Sequence, residues 1–154
     1  IEGSVVGINR LTKVPLPTCA SLYGAMLADV DYVIMGAGIP LTVPGILDCF
    51  ADGNQDATFG VEVAGTKDEY TTTFSPKEFW TNAGKPELVD ELKLNRPNFL
   101  PIVSSVVLAQ SMLKRANGKG PNSGIDGFVI ELPTAGGHNA PPRGFRYDPL
   151  AKSH

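Results

Sequence analysis

The residues best suited to chemistry lie in the segment Ala135-Gly136-Gly137-His138, shortly after an apolar stretch that ends at Glu131. A glycine pair lets the backbone approach a ligand that any Cβ would keep away. His138 is the only histidine away from the carboxyl terminus, and its imidazole titrates near neutral pH, which suits proton transfer. The same residues could instead form a tight turn with a solvated histidine. From the residues alone the turn is favoured, because an isolated Gly-Gly-His is a weak signal.

Four short apolar stretches predict the strands that position this segment. Each is short and bounded by polar residues, Gly or Pro, as buried parallel strands are. Helix-like stretches separate them, and a β-α-β-α-β-α-β series requires a parallel sheet with right-handed crossovers. Both a doubly wound sheet and a (β/α)8 barrel satisfy this order. The predicted strands are 4–8, 32–35, 99–103 and 128–130.

In either fold, ligands gather at the carboxyl ends of the strands. The loops that begin at Asn9, Gly36, Ser104 and Glu131 are therefore expected to share one edge of the sheet. Asn9 could also serve as a helix or turn cap, and Glu131 could form an ion pair. The helix signals are Thr18 as a cap, Pro44 in a first turn, and Ser104 or Ser105 as a cap.

Residues 54–97 interrupt the alternation. Stretches 58–64 and 70–74 are rich in Thr, Val and aromatic residues around a Gly-Thr-Lys-Asp sequence, which indicates a hairpin. Ser75-Pro76 and Lys85-Pro86 are then expected to open two short helices. The sequence thus predicts an insertion with its own hairpin and helices.

The sequence Glu-x-x-x-Ala-Gly-Gly-His-Asn over 131–139, followed by Ala-Pro-Pro-Arg-Gly, resembles the signature of the nitronate monooxygenase family and its flavin-dependent enoyl reductase relatives. Three further segments agree with that family in the same order: 7–9, 31–40 and 100–105. The resemblance implies an FMN-dependent (β/α)8 (TIM) barrel of which this chain forms about strands three to six. The domain would be a partial flavin-binding barrel over 1–154 with 54–97 inserted.

Residue by residue, the resemblance implies that His138 is the catalytic base beside the reactive edge of FMN. Ala135, Gly136 and Gly137 would supply backbone contacts to the cofactor. Asn9, Ser104 and Glu131 would lie near the flavin, and Gly36-Ala37-Gly38 would line the substrate side. No metal is implied. Arg143 could hold an anionic nitronate or phosphate, although a solvated loop arginine is the better interpretation.

The resemblance implies oxidation of alkyl nitronates or nitroalkanes, with molecular oxygen as the electron acceptor. Enoyl-thioester reduction is the alternative within the same fold, and a truncated, non-catalytic fragment is the alternative outside it.

Two features depart from the family pattern. Leu132 follows the strand-end glutamate where glycine is common, and the link 119–124 is longer than usual.

Composition sets the remaining expectations. A net charge of −3 without a basic cluster argues against nucleic acid, and no apolar run is long enough to span a membrane, so the expected partner is a small molecule. Cys19 and Cys49 lie in apolar stretches without metal spacing, which fits buried thiols in the cytoplasm. The chain reads as an excerpt of a longer protein, and we expect the excerpt by itself to be inactive. Open edge strands at 5–6 and 128–130 would favour homo-oligomers.

Overall fold

The chain alternates strands with helices, as the computed structural model shows for residues 3–116 and 124–132. Two interruptions depart from strict alternation, a pair of consecutive strands and a pair of consecutive short helices between 57 and 91. The elements are β1 (Gly7–Leu11), α1 (Thr18–Leu27), β2 (Tyr32–Gly36), α2 (Val43–Ala51), β3 (Ala57–Val61), β4 (Tyr70–Phe74), α3 (Pro76–Asn82), α4 (Leu88–Glu91), β5 (Asn98–Val103), α5 (Val106–Arg115) and β6 (Val129–Ile130).

The main sheet has four strands in the order β1-β2-β5-β6, and every neighbouring pair is parallel. The strand order follows the chain without reversal. Because parallel crossovers are right-handed, such an order places α1, α2 and α5 on the same face of the sheet. The predicted α/β class with a parallel sheet is confirmed.

The two faces of the sheet differ in what they pack against. Ile8, Val33 and Phe99 are register partners across β1, β2 and β5, and all three belong to the hydrophobic core formed with α1 and α2. Side chains alternate between faces along a strand. The next row, formed by Asn9, Ile34 and Leu100, therefore lies on the opposite face, outside that core.

β3 and β4 form a separate antiparallel sheet, which confirms the predicted hairpin. A buried and partly buried hydrogen-bond network attaches Asn54, α3 and α4 to α1. The indole Nε1 of Trp80 donates to the Tyr23 hydroxyl at 2.9 Å, and that hydroxyl donates to Asn54 Oδ1 at 3.0 Å. Asn54 Nδ2 in turn donates to the carbonyls of Val89 and Leu92. Because every group in this network is hydrogen-bonded, its burial costs little.

The first strand lies further along the chain than predicted. Val5 and Val6, which carried the prediction, precede β1 and are 68% and 53% exposed. Pairing begins at Gly7, where a Cβ would approach the neighbouring strand within 3.2 Å. The prediction was wrong because apolar composition does not fix register, which depends on the partner strand. Asn9 consequently lies inside β1, and the following loop begins at Thr12.

The predicted cap at Thr18 was also wrong. Thr18 is the first residue of α1, and its buried hydroxyl donates to the carbonyl of Val14 at 2.9 Å. Pro17 occupies the N-cap position without a side-chain hydrogen bond. In contrast, Pro44 lies in the first turn of α2 and the Ser75 hydroxyl accepts the Glu78 N–H, as predicted.

In the stretches 3–116 and 124–132, no helix combines the length and apolar character required to cross a membrane.

Burial makes the thiol of Cys19 a poor nucleophile. Its side chain is 1% exposed, and burial raises its pKa to about 11, so the thiolate is scarce at neutral pH. We expect iodoacetamide at pH 8 to leave Cys19 unmodified in the folded protein and to label it in denaturant. Half-buried Cys49 is the internal comparison and should react first. Peptide mapping by mass spectrometry measures both, and rapid labelling of Cys19 in the folded state would contradict its placement.

Candidate functional site

The carboxyl ends of the four parallel strands lie at one edge of the main sheet. We call the residues that follow these ends the carboxyl-end rim. Several residues predicted for the site lie in it or next to it. Gly36 ends β2, and Ala37 and Gly38 follow it; Ser104 follows β5, and Glu131 follows β6. The described rim comprises residues 12–17, 37–42, 104–107 and 131–132.

The loop after β2 is the most constrained part of the rim. Ala37 adopts a left-handed φ of 55° while only 3% exposed, and Gly38 has a φ of 154°. A Cβ on Gly38 would lie 2.8 Å from Thr12 Cβ, and one on Gly36 would lie 2.7 Å from Ile102 Cδ1. Glycine is therefore required at Gly38, whereas a side chain at Gly36 would force Ile102 to shift. Strained backbone of this kind costs about 1–3 kcal/mol per residue and clusters at functional sites.

Thr12 holds this loop in place, and sequence reasoning did not identify it. Its backbone N–H and its hydroxyl both donate to the carbonyl of Gly36, each at 2.9 Å. The two bonds connect the ends of β1 and β2. The sequence signal for Thr12 is a hydroxyl residue directly after a strand. The predicted first strand ended at residue 8, so Thr12 did not stand directly after it.

The structure decides between the two serines after β5. The Ser105 hydroxyl accepts the N–H of Leu108 at 3.2 Å, so Ser105 is the N-cap of α5. Ser104 is half-buried, and its hydroxyl bonds to no group in the described part of the chain. It lies directly before a helix N-terminus, where partial positive charge collects. Ser104 is therefore the serine that is available to a ligand.

Glu131 lies beside Ser104 on the neighbouring strand end. Its N–H donates to the carbonyl of Val103 at 2.9 Å, which continues the pairing of β5 and β6 by one residue. The carboxylate is on a half-buried residue, and Leu132 after it is 63% exposed. Glu131 and Ser104 thus lie at the ends of two neighbouring strands in the rim.

Asn9 is in a different place from the one predicted. It lies in the middle of β1, on the face that carries Ile34 and Leu100, and it is exposed. A residue within a strand caps neither a helix nor a turn, so that alternative is wrong. Asn9 instead lies in one cross-strand row with Ile34 and Leu100.

The remaining predicted site residues are Ala135, Gly136, Gly137 and His138, together with Arg143. All lie outside the described residues, so their roles stay predictions. The structure thus brings Gly36, Ala37, Gly38, Ser104 and Glu131 to one edge and places Asn9 on the adjoining face.

Comparison of the chain with protein-family models, curated proteins and solved structures finds no significant match.

Proposed function

We propose that this chain is part of an FMN-dependent (β/α)8-barrel oxidoreductase that oxidises alkyl nitronates and nitroalkanes with molecular oxygen. One observation carries the proposal: a parallel sheet in unreversed strand order collects Gly36–Gly38, Ser104 and Glu131 at one edge. A doubly wound sheet binds its ligand where the strand order reverses, whereas a barrel keeps one direction and one helical layer. The described order supports the barrel.

The described residues fit a flavin in their chemistry. Ile34 and Leu100 lie on the sheet face away from the core, which in a (β/α)8 barrel is the interior that side chains fill. Among the described residues, those that would hold FMN therefore lie at the carboxyl ends of the strands, where the Ser104 hydroxyl offers a donor and an acceptor. FMN, when bound, supplies the electron transfer between substrate and oxygen.

The protein's part is to bind the substrate, to orient it and to move one proton. His138 takes the proton from the carbon beside the nitro group, which converts a neutral nitroalkane into its nitronate. The loop Gly36–Gly38, which Thr12 fixes, holds the substrate against the cofactor in one orientation. The N-terminus of α5 favours the negative charge that the nitronate carries.

The direct test is to compare two reactions in the purified, FMN-loaded full-length enzyme of which this chain would be part. We expect oxygen consumption with ethyl nitronate and no NAD(P)H oxidation that depends on an enoyl thioester such as crotonyl-CoA. The opposite pattern would establish enoyl reduction, the second candidate. If neither substrate reacts in protein that contains stoichiometric FMN, the proposed function is wrong.

The two serines after β5 provide a matched pair for the cofactor contact. Ser105→Ala removes an N-cap and should cost about 1 kcal/mol of folding stability with little effect on FMN affinity. Ser104→Ala should change stability by less than about 0.5 kcal/mol. Its loss of one hydrogen bond should weaken FMN binding by roughly two- to tenfold. Urea denaturation and flavin fluorescence titration measure the two effects, and an unchanged affinity in Ser104→Ala would remove Ser104 from the site.

A further inference from the structure

The hairpin formed by β3 and β4 has two open edges. Its strands pair only with each other, in antiparallel register over 57–61 and 70–74. Within residues 3–116 and 124–132, no backbone–backbone hydrogen bond joins either strand to a residue outside the hairpin. Each strand therefore carries a row of backbone N–H and C=O groups without a strand partner, and such a row is a template for pairing with another chain.

The edge of β4 differs from the edge of β3 in its sequence. β4 reads Tyr-Thr-Thr-Thr-Phe, so an aromatic residue stands at each end and three threonines lie between them. The pattern is the same in both directions along the strand. β3, which reads Ala-Thr-Phe-Gly-Val, has no such symmetry. β4 also contains neither a charged residue nor proline, the residues that commonly protect an exposed edge.

This symmetry makes β4 complementary to itself, as a twofold dimer interface requires. Antiparallel pairing of β4 with β4 of a second copy, centred on Thr72, places like residues together. Tyr70 then lies opposite Phe74 of the second copy, and Thr71 lies opposite Thr73 of the second copy. Aromatic–aromatic and Thr–Thr pairs are among the cross-strand pairs that stabilise antiparallel sheets.

The two faces of the hairpin suit this pairing. Tyr70 and Phe74 lie on the face that carries the buried Phe59, whereas Thr71 and Thr73 are exposed on the other face. Tyr70 is 46% exposed. A twofold axis perpendicular to the sheet keeps the faces distinct, so the second copy covers Tyr70 with an aromatic ring and places threonines beside threonines.

We propose that β4 binds β4 of a second copy of this chain, which forms a four-stranded antiparallel sheet in the order β3-β4-β4-β3. Glu69, the charged residue that adjoins β4, then lies at opposite ends of the joint sheet in the two copies, so like charges do not meet. A single five-residue strand buries less area than a standard protein interface, so the dimer is weak and depends on concentration. The inserted segment thereby acquires a role in assembly that does not depend on the proposed chemistry.

The test places charges at Thr71 and Thr73, which the proposed register brings together twice in each dimer. Thr71→Lys/Thr73→Lys sets lysines opposite lysines, and Thr71→Glu/Thr73→Glu sets glutamates opposite glutamates. Each variant alone should dimerise at least about tenfold more weakly than the unsubstituted protein, since two Thr–Thr pairs become like-charge pairs. An equimolar mixture of the two variants should recover the dimer, which also shows that both are folded. Sedimentation velocity of the full-length protein over a range of concentrations measures each Kd.

Thr58→Lys/Gly60→Lys is the matched control, because both residues are exposed on the same face of the hairpin but belong to β3. A Cβ on Gly60 meets no atom within 4 Å, so the fold accommodates it. This variant should keep the Kd of the unsubstituted protein.

Three results would overturn the proposal: a protein that stays monomeric at every concentration, an equal loss in the β3 and β4 variants, or a mixture that does not recover the dimer. Growth beyond the dimer would also overturn it and assign the edge to open-ended assembly. Nitronate oxidation plays no part in these measurements, so their outcome and the fate of the proposed function are separate.

Discussion

In the full-length enzyme, replacing His138 with Asn is expected to lower the turnover of neutral nitroethane by roughly 10²–10⁴-fold, the usual contribution of a general base. FMN should stay bound, because the predicted contacts of Ala135 and Gly136 are made by the backbone. Oxidation of pre-formed ethyl nitronate should fall far less, since that substrate has already lost its proton. Oxygen consumption with each substrate, together with the flavin content of the purified variant, measures the contrast.

His154 supplies the control for this substitution, because it is the only other histidine in the chain. His154→Asn should leave both activities within about twofold of the unsubstituted protein, as expected for a position outside the reaction. Equal losses on both substrates in His138→Asn, or loss of FMN from that variant, would show that His138 supports the loop and is not the base.

Arg96→Met is expected to reduce the free energy of unfolding by about 3–5 kcal/mol, the cost of breaking a buried ion pair from one side. Arg96 Nε donates to Asp48 Oδ1 at 2.7 Å, and the two side chains are 13% and 6% exposed. Its other nitrogens donate to Asp126 Oδ2 at 3.1 Å and to the carbonyl of Gly124 at 2.8 Å. Methionine keeps most of the volume but removes the cation that balances these carboxylates. Urea denaturation monitored by circular dichroism measures the loss.

Arg115→Met is the matched control, since Arg115 is exposed in the last turn of α5. We expect a change within about 0.5 kcal/mol. Combining Arg96→Met with Asp48→Asn should recover part of the lost stability, because the buried carboxylate charge is then absent. A loss below about 1 kcal/mol in Arg96→Met would mean that the network contributes little to the fold.

Much of the architecture could be predicted from local patterns. The strands over 32–35 and 99–103, the hairpin and the Pro44 and Ser75 helix starts were all predicted. Each depends on periodicity, turn chemistry or capping, which act over a few neighbouring residues. The end of β1 was misplaced because Val5 and Val6 are apolar without being buried. Burial depends on which strand pairs with which residue, and the order of residues alone does not contain that information.

The amino-acid sequence by itself predicted which residues could carry chemistry: the Gly-Gly-His segment, the serine pair after β5 and the carboxylate of Glu131. Tertiary structure alone decided that Thr12 fixes the Gly36 carbonyl and that Arg96 neutralises Asp48 across 48 positions of chain. The physical reason is range. A cap or a turn forms between residues within about four positions, whereas the parallel sheet joins residues tens of positions apart, and their contacts exist only once the strands have paired.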